Sequence, residues 1–575
     1  MTDKRWVSFP NLNHSIIDSL HEELKIHPVL CSLLVQRGIT NFEEARNFFR
    51  PSLEMLHDPF LMKDMDIAVE RINTAIAAKE KIMVYGDYDV DGTTAVSLMY
   101  LFLRSLFANV EFYIPNRYSE GYGVSITGID VAKQNGCTLI IALDCGIKAM
   151  EKVDYANSLG IDFIICDHHR PSATLPAAVA VLDPKRNDCE YPYKELTGCG
   201  IGFKLAQAIA QNNNIPFSDL DQYLDLVAIS IAADIVEILG ENRILMHYGL
   251  KRLNQNPRQG LKAIMHVGNI DKKQLDVSDI VFVIAPRINA AGRIESGNQA
   301  VELLTAKDVE RAIFHGGEID EKNTTRKELD QNITEHAFQM IESDPDFVNR
   351  KSTVVFHTEW HKGVIGIVAS RLSDRYYRPT IVLTLTNGHV AGSARSVKDF
   401  DIYNAIESCS DLLDQFGGHM YAAGLTMKEE NVPAFIEKFE KIVAQTIETN
   451  SLTKEITVDA VLDLKEITPK FYKILKQFSP FGPGNMAPVF QTNNLVDSGY
   501  GRVVGNNHLK LSLTQDGPVK YTFDAIAFQL GEHIGTLEKK VPLDVVYHID
   551  ENHFNGKTTL QLNVKDIRVN EIVSV

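Results

Sequence analysis

The segment Gly86-Asp87-Tyr88-Asp89-Val90-Asp91-Gly92 places three carboxylates at alternate positions directly after the apolar run 82–85. Three more apolar runs end in a similar way. Run 138–143 is followed by Asp144, run 163–166 by Asp167-His168-His169, and run 178–182 by Asp183. Carboxylates gathered in one place repel. At ~4 Å and an effective dielectric near 20, each pair costs about 4 kcal/mol. A cation must offset that. Mixed carboxylate and imidazole donors suit Mn²⁺, with Mg²⁺, Zn²⁺ or Fe²⁺ as the other fits. The candidate ligands exceed the needs of one ion. That favours a pair of metals, the device that serves in-line displacement at phosphorus. Blander readings exist for each segment. Asp87-x-Asp89-x-Asp91-Gly92 begins like an EF-hand loop, but its twelfth position is Leu98 and a strand pattern precedes it. A lone aspartate after a strand is usually a turn residue. Only the joint placement of these residues carries the metal reading.

That placement depends on the elements that hold them. From about residue 81 to 183, apolar runs (82–85, 110–114, 138–143, 163–166, 178–182) alternate with segments of helical periodicity such as 93–107 and 148–159. Strands alternating with helices imply βαβ units and a mostly parallel sheet. The carboxyl ends of parallel strands share one edge, where ligands bind. Residues 1 to about 80 read as short helices, with a capping-box pattern at Thr40-x-x-Glu43, and residues 200–265 also read as helical. Residues 308–343 are charged, lack proline and read as a long exposed helix joining two lobes. Runs 353–356 and 380–385, with glycine-rich segments, indicate a smaller α/β domain ending near residue 450. Beyond a Pro/Gly loop at 480–488, segments 508–514 and 558–564 alternate with period two. Asp516-Gly517 and Asn555-Gly556 read as hairpin turns, which makes this a small all-β module, read as a barrel. The expected domains are 1–50, helical; 51–305, the α/β domain with the carboxylates; 306–345, the connecting helix; 346–450, the smaller α/β domain; and 451–575, the barrel.

The chain has 575 residues, 45% of them apolar and 23% charged, an ordinary globular composition. Its net charge of -17 argues against bulk attraction to nucleic acid. It leaves room for a local basic groove, because the Debye length is about 8 Å at physiological salt. Between Trp360 and Lys398 there are six Lys or Arg (362, 371, 375, 378, 395 and 398) against one acid, Asp374. That stretch fits one wall of such a groove. For Arg371, Arg375 and Arg378 a solvated helix face is an equal reading. Seven cysteines with no Cys-x-x-Cys pair exclude a disulfide framework and a cysteine zinc cage. Cys137 and Cys166 read as buried thiols. The N-terminus shows no secretory core, and the most apolar stretch, 224–239, is interrupted by Asp225, Asp234 and Glu237. A cytoplasmic protein with no membrane span is expected.

Together, Asp87-Tyr-Asp89-Val-Asp91-Gly92, Asp144-Cys-Gly and Asp167-His168-His169 resemble the DHH phosphoesterase superfamily. Further segments are similar to its RecJ family of single-strand-specific 5′→3′ DNA exonucleases. These are Ile114-Pro-Asn-Arg117, Glu120-Gly-Tyr122-Gly123, Trp360-His-Lys-Gly-Val-Ile-Gly366, Gly392-Ser393-Ala-Arg395-Ser396 and Gly417-Gly418-His419. The resemblance implies a DHH domain, a DHHA1 domain and an OB-like barrel. It implies Asp87, Asp89, Asp144, His168 and Asp234 as ligands of Mn²⁺ or Mg²⁺, two ions per site. Without it, Asp234 reads as a buried cap or salt bridge. His169 is implied to contact the scissile phosphate, while Asp91 and Asp167 orient the ligands. Arg117, Ser393 and Arg395 are implied to hold a 5′-phosphate. Tyr122 could stack on a base, and His419 follows a glycine pair suited to phosphate. Arg287 and Arg293 resemble interlobe DNA contacts. The implied reaction releases 5′-mononucleotides in DNA recombination and repair, mismatch repair included. Single-stranded DNA is the implied partner, with single-stranded-DNA-binding protein and a helicase as further family expectations. Competing readings are a DHH phosphodiesterase of short oligonucleotides or cyclic dinucleotides and a non-catalytic DNA-binding replication subunit.

Overall fold

A computed structural model describes residues 4–9, 12–270, 274–515, 517–537, 541–554 and 556–569. The chain divides into two compact units, Leu53–Thr453 and Met1–Ser52 with Lys454–Val575.

In the larger unit, α1 (Met65–Ala77) leads into β1 (Lys81–Gly86), α2 (Val90–Leu106), β2 (Val110–Tyr113), α3 (Ile126–Gln134), β3 (Cys137–Leu143), α4 (Met150–Ser158), β4 (Asp162–Cys166) and β5 (Ala180–Leu182). The strands form one parallel sheet in the order β2-β1-β3-β4-β5. Their unbroken apolar runs follow from burial on both faces. Ile82, Val84, Leu139, Ile141 and Ile164 face a core shared with α1, α2 and α5 (Gly198–Asn212). Met83, Tyr85, Ile140, Phe163 and Ile165 face another, shared with α3 and α4. The two sets alternate along each strand, as a period of two requires.

α6 (Leu224–Ala233) and α7 (Ala285–Ile294) complete this domain. α8 (Val309–Glu342) follows, 34 residues or about 50 Å long. It is not exposed all round. Ala312 and Ile319 enter the first core, while Ile333, Ala337 and Ile341 enter that of the next domain. There β6 (Thr353–Phe356), α9 (Ile365–Tyr376), β7 (Thr380–Thr386), β8 (His389–Arg395), β9 (Gln415–His419) and β10 (Ala422–Met427) form a five-stranded sheet ordered β9-β10-β8-β7-β6. Only the β6–β7 pair is parallel.

In the smaller unit, β11 (Phe490–Asp497), β12 (His508–Gln515), β13 (Tyr521–Ala527), β14 (Leu543–Phe554) and β15 (Lys557–Val569) pair in the order β11-β14-β15-β13-β12. β12 returns to β11, so the sheet closes into a five-stranded barrel. Leu509, Leu511 and Leu513 point inward at every second position. Asp516 and Asn555, expected in hairpin turns, lie outside the described residues. Gly556 has φ +75, a backbone suited to glycine.

Two expectations need correction here. The N-terminal segment is not wholly helical, because Arg5–Ser8 is a strand paired in parallel with Glu455–Val458. The expected cap at Thr40 and Glu43 shifts by one residue. Asn41 Oδ1 accepts from Glu44 N at 3.0 Å, and the Glu44 carboxylate accepts from Thr40 N at 2.7 Å. Asn caps as well as Thr, so either residue could start the helix. All seven cysteines are buried free thiols. Among the described residues, no helix is long and apolar enough to cross a membrane.

Candidate active site

The carboxyl edge of the parallel sheet collects the acidic segments. Asp87 follows β1 and is fully buried. Asp89 caps α2, its Oδ1 accepting from Gly92 N at 3.0 Å. Asp144 follows β3 with φ +59, a strained backbone for a non-glycine residue. Asp167, His168 and His169 follow β4, and Asp183 follows β5. Asp234 closes α6 as its C-cap.

These segments converge on His168. Its Nε2 lies 3.2 Å from Asp144 Oδ1, 3.6 Å from Asp234 Oδ2 and 3.8 Å from Asp91 Oδ2. Asp144, His168 and His169 can offer atoms to one cation, and so can Asp91, His168 and Asp234. Among the described residues neither His168 nitrogen has a hydrogen-bond partner, and the same holds for Asp87 Oδ2 and Asp234 Oδ2, all of them buried. Buried acceptors without donors are costly. A divalent cation would satisfy them, and oxygen with imidazole is a donor set for Mn²⁺ or Mg²⁺. The acidic and histidine groups are arranged to bind metal.

Two aspartates here are already occupied. Asp91 accepts from Gly198 N (2.7 Å), Cys199 N (2.8 Å) and Ser230 Oγ (2.6 Å). Asp167 accepts from His168 N (2.8 Å), His169 N (3.1 Å) and Ile147 N (2.9 Å). Its Oδ1 also lies 2.7 Å from His169 Nδ1.

Charge separates the two classes. Burial, then the neighbouring Asp89, pushes Asp87 up to about 8. Burial, then Asp91 and Asp89, pushes Asp234 up to about 8. Burial and Asp91 likewise raise Asp89 and Asp144. Asp167 behaves in the opposite way. Burial would raise it, but the hydrogen bond and charge of His169 bring it down to about 2. Burial would also lower His169, yet Asp167 holds it at about 9, so Nδ1 donates and the ring is cationic at neutral pH. Burial lowers His168 and keeps a lone pair available. Tyr122 is half-exposed, and its hydroxyl reaches 3.1 Å from His169 Nε2.

A second group of residues is cationic. The Arg117 guanidinium lies 4.4 Å above the Tyr88 ring. Ser393 and Arg395 stand on one face of β8, with Ala394 turned into the core between them. Arg395 Nη1 lies 3.3 Å from Ser393 Oγ. A Cβ on Gly366 would come within 2.9 Å of Ser393 Oγ and 3.2 Å of Arg395 Nη2, so the first turn of α9 sits against both. A helix N-terminus beside a guanidinium is an anion site. Arg293 donates from Nη1 to Gly363 O at 3.1 Å. Burial, then Arg117, Arg326 and Arg395, lowers Arg293 to about 10.

Other expected contacts are placed differently. Arg287 is buried, donating from Nε to Asp320 Oδ1 and from Nη1 to Val283 O, each at 2.9 Å. It braces α7 against α8. His419 is exposed at the end of β9, two strands across from Arg395, and its Nδ1 accepts from Tyr421 N. Arg371 and Arg375 donate to Asp330 and Glu342 of α8, and Arg378 to Phe347 O. Much of the basic stretch therefore ties α9 to its neighbours. The motif reading missed Ser230, which reads as an ordinary core position, and Arg326, which is one of many charges on α8.

A parallel sheet carrying Asp-His-His at its carboxyl edge, followed by a smaller mixed-sheet domain and a barrel, defines a DHH-family phosphoesterase. Family models match accordingly: the DHH family N-terminal domain over residues 81–231, the DHHA1 domain over 349–445 and the RecJ OB domain over 458–566. The single-stranded-DNA-specific exonuclease RecJ of Bacillus subtilis is 38% identical over 96% of this chain and 70% of that relative. RecJ of Escherichia coli is 33% identical over 94% of this chain and 96% of that relative. The crystal structure of Thermus thermophilus RecJ in complex with Mn²⁺ superposes with TM-score 0.84 at 26% identity, covering 99% of this chain and 80% of that one. The chain belongs to the RecJ family.

Proposed function

We propose that the protein is a metal-dependent exonuclease that degrades single-stranded DNA from the 5′ end and releases 5′-mononucleotides. One observation carries the reading: Asp144, Asp234 and Asp91 surround His168 at the sheet edge, Asp87 and Asp89 are near enough to raise Asp144, and buried atoms on Asp87, His168 and Asp234 have no hydrogen-bond partner among the described residues. Asp87, Asp89, Asp144, His168 and Asp234 would hold two divalent ions. Bound there, the ions supply Lewis acidity and bring the pKa of water toward neutrality.

The protein's own groups do the rest. Asp91 and Asp167 keep the ligand segments in place through their backbone hydrogen bonds. His169, held cationic by Asp167, stabilises charge on the phosphoryl oxygens, and Tyr122 orients its outer nitrogen. Arg117, Ser393 and Arg395, with the first turn of α9, grip the terminal 5′-phosphate, which sets polarity. Arg293 adds positive charge beside them, and His419 lies at the same end of the sheet. Arg287 supports this wall from behind. The barrel grips the strand farther from its end. The relatives' own names, single-stranded-DNA-specific exonuclease, support this substrate. We place the protein in the cytoplasm, in DNA recombination and repair. A helicase and single-stranded-DNA-binding protein would supply and hold its substrate.

Digestion of end-labelled single strands tests the reading. With Mn²⁺, the 5′ label should appear first as mononucleotide while the 3′-labelled strand shortens progressively, and chelator should stop both. Release of the 3′ label first, or activity that survives chelation, would refute it.

A further inference from the structure

A cavity of about 440 Å³ is lined by Phe282, Pro286, Arg326, Lys327, Gln331 and Arg371. None of these residues is assigned above to the metal site or to the 5′-phosphate grip. Phe282 lies in a π-helical turn, Ile280–Ile284, just before α7. Such turns are rare and concentrate at functional sites. Ile280 and Ile284 are buried, whereas Phe282 is 76% exposed. One exposed aromatic means little by itself. This one stands at the rim of a cavity with three cations.

Those cations are largely uncompensated. Arg371 donates to Asp330 at 2.7 Å, and Arg326 donates to the neutral Asn323 at 2.6 Å. Lys327 is exposed and makes no ion pair among the described residues. The cavity therefore has three positive groups for one carboxylate. Arg326 is also one of the charges that depress Arg293. An aromatic face beside cations that outnumber their carboxylate suits a ligand with flat rings and repeated negative charge. Single-stranded nucleic acid has both.

We propose that this cavity is a nucleotide subsite for the single strand beyond its 5′ terminus, with a base stacked on Phe282 and backbone phosphates against Arg326, Lys327 and Arg371. The inference rests on the exonuclease reading above and extends it.

The test compares Phe282→Ala, Phe282→Trp and Lys327→Gln in the full chain with Mn²⁺, on a 5′-phosphorylated dinucleotide and on a long single strand. Stacking of one base contributes about 1–3 kcal/mol. Phe282→Ala should therefore raise KM on the long strand about tenfold, with a much smaller effect on the dinucleotide, and Phe282→Trp should restore it. Lys327→Gln should reduce the slope of log affinity against log salt by about 1. Unchanged KM and unchanged salt slope would overturn the subsite while leaving the exonuclease reading intact. Equal losses on both substrates would also overturn it, because they would indicate a structural role. A wild-type protein that leaves single-stranded DNA undigested would instead overturn the exonuclease reading.

Discussion

Asp167 and His168 are neighbours in sequence and opposites in bonding. Asp167 is surrounded by donors and held near 2, while the two buried nitrogens of His168 have no hydrogen-bond partner among the described residues. That contrast separates residues that position from residues that bind. Asp89→Ala should abolish Mn²⁺ binding at this site and nearly all turnover while keeping much DNA binding. A variant digesting DNA at the wild-type rate would refute the assignment, and titration of Mn²⁺ by calorimetry checks the binding half. Arg395→Ala should lose most of the preference for a 5′-phosphorylated strand over a 5′-hydroxyl strand. Unchanged kinetics on the two substrates would remove it from the phosphate pocket. The raised carboxylates also set a pH dependence. Asp87 and Asp234 stand at about 8 in the folded, metal-free protein, against an ordinary value of about 3.9 when unfolded. The folded state therefore binds more protons between these values, and metal-free stability should fall as pH rises through that window. Melting temperatures in chelator should be lower near pH 8 than near pH 5, with Mn²⁺ restoring most of the loss near pH 8. A metal-free melting temperature that rises over the same range would contradict this.

At the scale of elements, one carboxylate joins three helices. Asp91 starts α2, receives the first two N–H groups of α5 and accepts from Ser230 of α6. A Cβ on Gly198 would lie 2.5 Å from Asp144 Cβ, so the helix approaches Asp144 as closely as glycine permits. Gly198→Ala should destabilise the fold by about 1–3 kcal/mol, as overpacking does, and displace Asp144. Urea unfolding checks the first effect and Mn²⁺ affinity the second. A variant matching wild type in both would show that the contact relaxes freely. Four strands of this domain, β1, β3, β4 and β5, were legible because each is an apolar run that stops at an acidic residue; β2 runs into Ile114-Pro115 instead. The junction at Asp91 was not legible. It depends on backbone N–H groups from residues more than a hundred positions away, and no local pattern marks them.

For the whole molecule, net charge conceals function. The total of -17 includes the carboxylates proposed to hold cations, while Arg117, Arg326 and Arg395 form a small positive cluster around Arg293. The local charge count located Arg395 but overcounted its neighbours, because Arg375 and Arg378 are engaged by α8 and by Phe347. Long-range topology was the least legible feature. The strand Arg5–Ser8 pairs with residues 450 positions later, and the barrel closes through β11 and β12, contacts that sequence periodicity does not encode. α8 was legible as a helix from its spacing, but the cores it joins were not. The central claim is that the DHH edge holds a divalent pair. Anomalous diffraction from crystals grown with Mn²⁺ tests it most directly. The expected result is two peaks about 3.5–4 Å apart among Asp87, Asp89, Asp144, His168 and Asp234. A map with no peak among those five side chains would contradict it.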